Sequence, residues 1–367
     1  MIQRTGNLNI FAGRKALAEI REQGLRPERV QIIAGAAGGP KWLALNGLDR
    51  AIFSSWMNDP GQPVFLIGSS IGAWRFAAIA QDMGSGAYDL FEKAYLNQHY
   101  SSWPSSSEVT EGSMKVMDAY LDLPAVQAIL SHRFFRLNII TVKCSRPLNR
   151  GSRLSLAPVM LFIWLMNFMS RKSLGLLFSR TLIHDPRSEP PFFNMDGFPI
   201  QKVALTGRNL KAGLLASGSI PLVMDGVKDL SGASPGMYRD GGIIDYHLDI
   251  PFGSEGIVLY PHYSDRIIPG WLDKMLPWRR PDPAHMENVV LVCPSRAFVS
   301  ALPYGKIPDR DDFMRFRNHD EERIAYWKEV VVRGRVLGEE FLEMVATRRI
   351  SDAVRPLEAG QSSGDRE

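Results

Sequence analysis

The sequence predicts an α/β protein built on a mainly parallel sheet with helices on its faces. Two observations predict it. Short apolar runs alternate with longer stretches of helical spacing through the first part of the chain, the rhythm that parallel strands need because each must be joined to the next by a crossover. The strand-to-helix junctions are also rich in small residues, "IIAGAAGGPKW" and "LIGSSIGAW", where a tight turn leaves no room for large ones. A length of 367 residues with 45% hydrophobic content allows a substantial core in one large domain or two.

The elements follow in order. "GRKALAEIREQGL" has helical spacing and ends near a glycine, "RVQIIAG" reads as a short apolar strand, and Pro40 to Trp56 as a helix opened by proline, which suits a first turn. "PVFLIGS" is the next strand and "IGAWRFAAIAQDM" the next helix. Residues 85–135 are mainly helical, and Arg136 to Cys144 is a third strong strand. A stretch at about 145–191 breaks the rhythm and reads as an insertion. It opens on a basic loop, passes through the apolar run Leu154 to Met169, and leaves through "SRKSLGLLFSR". "QKVALTG" resumes as a strand, "NLKAGLLASGSI" as a helix, "GIVLYP" and "NVVLVCP" as later strands, and the segment after Asp311 as helix. No repeat and no clean linker is present, so residues 1–350 are expected to form one domain with an insertion at about 145–191, and 351–367 a disordered tail.

A net charge of +4 without a Lys/Arg run argues against a nucleic-acid partner. The two cysteines, Cys144 and Cys293, sit in apolar strands and read as buried thiols. Seven scattered histidines show no metal-ligand spacing. No cofactor and no metal is expected. The N-terminus lacks a continuous apolar region of signal-peptide type, and the apolar run at 154–169 is shorter than the roughly 20 residues that a spanning helix needs. A cytoplasmic protein is expected, touching a membrane through residues 154–178; that segment reads as a lid, a core helix or an interfacial anchor.

Chemistry concentrates at three places. Gly68-Ser69-Ser70-Ile71-Gly72 follows a strand and opens a helix. This G-x-S-x-G pattern projects Ser70 from a cramped turn at a helix N-terminus, where developing negative charge is favoured. Upstream, Gly38-Gly39-Pro40-Lys41 can turn N–H groups towards a bound carbonyl oxygen. Neither the Walker pattern nor G-x-G-x-x-G is matched there. The base is open on residue pattern alone. His247, His262 and His285 are available as imidazoles, and Asp240, before Gly241-Gly242, as a carboxylate that could face Ser70 directly. Asp245 and His247 read as structural groups.

Four segments in order resemble the patatin-like phospholipases: the glycine-rich loop with Lys41, the Ser70 elbow, "ASGSIPLVM" (Ala216 to Met224), and "YRDGGIIDYHLDIP". They span about residues 30 to 252. The resemblance implies a three-layer α/β/α fold with a mainly parallel sheet. It implies a catalytic dyad of Ser70 and Asp240, and an oxyanion hole of Gly38 and Gly39 with Lys41 nearby. The loop departs from the family: Ala36 and Ala37 intrude, lysine replaces arginine, and Trp42 stands where glycine is usual, so the charge is kept without the guanidinium fork. The expected activity is acyl-ester hydrolysis on a lipid. An acyltransferase with the same dyad, or a silent lipid-binding protein, is the alternative.

Overall fold

The structure, a computed structural model, describes residues 6–145 and 153–357. Most of the basic loop expected after Cys144 and residues 358–367 of the tail lie outside the described residues. Eleven strands form one sheet among the described residues: β1 (Leu8–Ala12), β2 (Val30–Gly35), β3 (Val64–Ser69), β4 (Phe135–Cys144), β5 (Phe178–His184), β6 (Ile200–Ala204), β7 (Val227–Lys228), β8 (Met237–Asp240), β9 (Ile257–Pro261), β10 (Val289–Pro294) and β11 (Arg355–Pro356). The α-helices are α1 (Arg14–Gln23), α2 (Asn46–Ala51), α3 (Ile71–Ile79), α4 (Ala87–Leu96), α5 (Ser106–Asp118), α6 (Leu123–Ser131), α7 (Arg153–Met169), α8 (Leu210–Gly218), α9 (Arg296–Ala301), α10 (Asp312–Arg315), α11 (Asp320–Ala346) and α12 (Ile350–Ala353).

The strand order is β11-β1-β10-β9-β2-β3-β4-β5-β6, with β8 on β4 and β7 on β8. From β10 to β4 every neighbour is parallel; β1 on β10, β5 on β4 and β8 on β4 are antiparallel. The protein is therefore α/β, with a mostly parallel central sheet flanked by helices. The central strands β3, β9 and β10 are buried along their whole length, which explains their continuous apolar sequences: a strand covered on both faces has no polar side to alternate with.

Strand β4 brings the serine and aspartate segments together. One edge of its first half carries β3, ending with Ser69 opposite Ile140. Further along, Thr141 faces Asp240 at the end of β8. Consecutive β4 residues thus bring the end of β3 beside the end of β8.

Two expectations need correction. Residues 145–191 are not wholly an insertion, because Phe178–His184 forms β5 and pairs with β4 from Ile139↔Ile183 to Cys144↔Phe178. Buried Arg180 and Thr181 hide this strand in the sequence, since they interrupt its apolar run. Residues 351–356 are also ordered: α12 runs to Ala353, and Arg355 pairs in parallel with Phe11 of β1. That order comes from a distant strand, which local composition does not register.

Helix α7 packs Met160 and Ile163 into a second core cluster with Val142, Phe178, Phe198 and Leu272. Leu161, Phe162, Leu165, Phe168 and Met169, on its other side, are exposed. No helix among the described residues is long and apolar enough to cross a membrane.

Candidate active site

The Ser70 elbow is shaped by close backbone packing. A Cβ on Gly72 would lie 2.1 Å from the Gly35 carbonyl oxygen, so only glycine lets α3 start this close to the end of β2. Ser70 takes φ 55°, ψ −127°, a region costing on the order of 1–3 kcal/mol for a residue with a side chain. Its backbone is held on both sides. The Ser70 N–H donates to Ser217 Oγ at 2.8 Å, and Ser217 Oγ–H donates to the Ile140 carbonyl at 2.6 Å. The Ser70 carbonyl accepts from the N–H groups of Ala73 and Trp74. Indole Nε1 of Trp74 donates to the Leu214 carbonyl at 2.7 Å, locking α3 against α8.

Asp240 ends β8 and arrives at the elbow from the other side. Its N–H donates to the Ser219 carbonyl, and its Oδ1 accepts from the Gly242 N–H at 2.7 Å. A Cβ on Gly241 would lie 2.4 Å from the Ile140 carbonyl oxygen, so glycine after the aspartate is what allows the turn to press against β4. The free oxygen meets the serine: Ser70 Oγ donates to Asp240 Oδ2 at 2.8 Å. Both residues are buried. Burial raises the Asp240 pKa above its usual 3.8; the positive charge of Arg310 and hydrogen bonds from Gly242 and Ser70 pull it back in part. A raised pKa makes this carboxylate a better proton acceptor than a solvated one.

None of the three candidate histidines is the partner of Ser70. His247 is hydrogen-bonded to Tyr263 and His285 to Asp249, while His262 Nδ1 lies against the Ser264 carbonyl. Asp245 is engaged elsewhere: both its oxygens accept from Arg180, at 2.7 Å each, in a fully buried pair. The two cysteines are buried and unpaired.

Ser70 opens onto a cleft of about 760 Å³. Gly38, Gly39 and Lys41 form one wall; Ile220, Val223, Met224, Trp164 and Trp271 supply an apolar part. Asp240 sits behind the serine, in a much smaller void shared with Ile220, Tyr246 and Arg310. The Gly38 and Gly39 N–H groups have no partner among the described residues. Two unpartnered donors in a buried loop beside a serine hydroxyl have the chemistry to receive an oxyanion. Lys41 reaches the same region, its ammonium 4.9 Å from the centre of the Tyr263 ring.

Three residues that bear on the site carry no motif signal, and a fourth lies in a motif read without a role. Arg310, from the loop before α10, places Nη2 4.0 Å from Asp240 Oδ2. Lys274 stands at the rim, its ammonium 4.4 Å from the Tyr246 ring centre. Loss of water in the cleft and the neighbouring charges of Lys41 and Arg310 push its pKa down to about 7. Tyr263 lies against the glycine loop. Ser217 belongs to "ASGSIP", a stretch that reads as kinship without chemistry until the Ser70 hydrogen bond is seen.

No family model matches the sequence, and no curated protein matches it. Among solved structures, VipD from Legionella pneumophila overlaps at a TM-score of 0.29 with 11% identity, over 70% of this chain and 53% of that one. Human GIVD cytosolic phospholipase A2 overlaps at a TM-score of 0.30 with 11% identity, over 92% of this chain and 63% of that one. The chain spans about half the length of the first and less than two thirds of the second. Likenesses this loose add nothing to the geometry of the site.

Proposed function

We propose that the protein is a lipid acyl hydrolase that cleaves carboxylic esters through a Ser70 acyl-enzyme, with Asp240 as general base. One observation carries the reading: the 2.8 Å hydrogen bond from Ser70 Oγ to a buried carboxylate, made where the serine opens onto a cleft bordered by unpartnered loop N–H groups. Asp240 takes the proton as Ser70 Oγ attacks the ester carbonyl, and Gly38 and Gly39 donate to the oxyanion, with the positive charge of Lys41 nearby. Asp240 then returns the proton to the leaving alkoxide. Water enters, gives its proton to the same carboxylate, and releases the fatty acid while Ser70 is reprotonated. No imidazole is needed, because burial has already moved the carboxylate towards a useful basicity.

The cleft walls favour an amphiphilic ester. Apolar side chains suit an acyl chain. Lys41, Lys274 and Arg310, offset in part by Asp309 and Asp311, suit a negative group near the ester. The exposed side of α7 supports peripheral contact with a lipid surface through residues 154–178. Next to it, Met275 and Trp278 are 78% and 57% exposed, and Trp278 meets Phe168 edge-on, so two segments share one apolar face beside the cleft.

The test is covalent labelling with a fluorophosphonate probe, followed by turnover of phospholipid, lysophospholipid and triglyceride. Wild type is expected to label, and Ser70→Ala is not. Labelling that survives in Ser70→Ala rejects the nucleophile, and full turnover in Asp240→Asn rejects the base. An acyltransferase would pass the acyl group to an added alcohol in preference to water, and a silent binder would bind lipid without labelling.

A further inference from the structure

We propose that Tyr263 and His247 are positioning residues that hold the 37–38 peptide so that the Gly38 N–H faces the reacting carbonyl. The inference rests on the reading of the cleft as an acyl-transfer site. It starts from two short buried hydrogen bonds behind the glycine loop, continued by two longer, part-buried contacts. Tyr263 Oη–H donates to the Ala37 carbonyl at 2.6 Å, and His247 Nε2 lies 2.7 Å from the same Tyr263 oxygen. His247 Nδ1 lies 3.0 Å from the Ile268 N–H and 3.2 Å from the Arg266 carbonyl. Ala37, Tyr263 and His247 are all buried.

Proton counting selects one arrangement. With the ring proton on Nε2, three bonds form: Ile268 N–H to Nδ1, Nε2–H to the Tyr263 oxygen, and Tyr263 O–H to Ala37. With the proton on Nδ1, that nitrogen donates to Arg266, the Tyr263 hydroxyl turns to Nε2, and both the Ile268 N–H and the Ala37 carbonyl lose their partners. The first arrangement gives up only the Arg266 carbonyl contact while the second gives up a backbone N–H and a carbonyl, and unpartnered polar groups are costly, so the first wins. Burial also holds His247 well below the ordinary imidazole range, which keeps the ring neutral and the chain directional.

The consequence falls on Gly38. The Ala37 carbonyl and the Gly38 N–H belong to one planar trans peptide and point in opposite directions. Pinning the carbonyl to Tyr263 therefore aims the N–H away from Tyr263. The Tyr263 ring also packs against Gly38: a Cβ there would come within 2.7 Å of it. The other side of Ala37 is tied by its own N–H to the Tyr246 carbonyl at 2.9 Å. Gly38 and Ser70 line the same cleft, so the donor is held in the wall that the serine faces without rearranging during the reaction. Preorganisation of this kind is where oxyanion stabilisation gets its strength.

The test is Tyr263→Phe, which removes one oxygen and keeps the ring against Gly38. Turnover of a soluble acyl ester is expected to show kcat lowered about tenfold or more with KM changed less than about twofold. Affinity for a trifluoromethyl ketone acyl analogue, which forms an oxyanion on Ser70, is expected to fall in parallel, and the acid limb of the pH profile to stay in place. A kcat within twofold of wild type, or a loss carried by KM alone, overturns the proposal. His247→Gln, which can still donate to Tyr263, is expected to retain more activity than His247→Leu; the reverse order overturns it. A ¹H–¹⁵N spectrum of the wild-type histidines needs no turnover and is expected to place the His247 proton on Nε2; a proton on Nδ1 overturns the chain. Absence of any Ser70 labelling in wild type would instead reject the hydrolase reading on which the proposal stands.

Discussion

Substituting Ser217 by alanine tests how the nucleophile elbow is held. The Ser217 hydroxyl accepts from the Ser70 N–H and donates to the Ile140 carbonyl, at 2.8 and 2.6 Å. The substitution strands both backbone groups beneath the elbow, where Ser217 and Ile140 are fully buried. An unsatisfied buried donor costs about 1–3 kcal/mol, and the carbonyl, with a second lone pair, counts for less, so destabilisation of about 2–4 kcal/mol is expected. An unfolding entropy of about 2.1 cal/mol/K per residue over a chain of this size gives about 0.8 kcal/mol/K, and hence a fall in Tm of about 3–5 °C. Function should suffer more than stability. Ser70 keeps its strained φ of 55° only because its neighbours impose it, and a displacement of the order of 1 Å at a reacting atom costs on the order of 100-fold in rate. Differential scanning calorimetry measures the first quantity and the rate of fluorophosphonate labelling the second. A Tm within 1 °C of wild type together with an unchanged labelling rate would refute the idea that Ser217 anchors the elbow.

Two further outcomes follow from the site and its surroundings. Activity needs Asp240 ionised and burial raises its pKa, so the rate should climb with pH through a midpoint above 3.8 and vanish below it. Arg310 pulls that pKa down, so Arg310→Met should move the acid limb of the pH–rate profile to higher pH; a shift to lower pH, or none, would show that the 4.0 Å contact has no electrostatic role. On the outer face, replacing Leu165, Phe168 and Trp278 together by serine removes three exposed apolar side chains that do not line the cleft. At about 1 kcal/mol each for part-burial in an interface, partitioning onto anionic vesicles in a sedimentation assay should fall by about 100-fold, while turnover of a soluble ester stays as in wild type. Unchanged partitioning would move the lipid contact elsewhere.

Local chemistry determined much by itself. The apolar runs at Val64–Ser69, Ile257–Pro261 and Val289–Pro294 are legible because a strand covered on both faces has no polar side to show. The turn at Ser70 is legible because a strand folding straight into a helix leaves room only for small residues at Gly68 and Gly72. Ser70, Asp240, Gly38, Gly39 and Lys41 could all be picked out from short segments. The residue pattern leaves the base open between Asp240 and three histidines; the family resemblance implies the Ser70–Asp240 pair, and the contact itself is made by the sheet. Asp240 reads as part of a turn and is the last residue of a strand, because β8 is only four residues long and exists by pairing with β4. Strand β5 was hidden because Arg180, buried against Asp245, breaks its apolar run. Arg310, Lys274 and Tyr263 lie in segments without a pattern and reach the site only through the sheet's topology. What the sequence determined was which residues are small, apolar or reactive over a few positions at a time. Which carboxylate meets the serine, which tyrosine holds the glycine loop and which cations stand over the cleft are long-range contacts, decided by strand order and by the requirement that buried polar groups find partners.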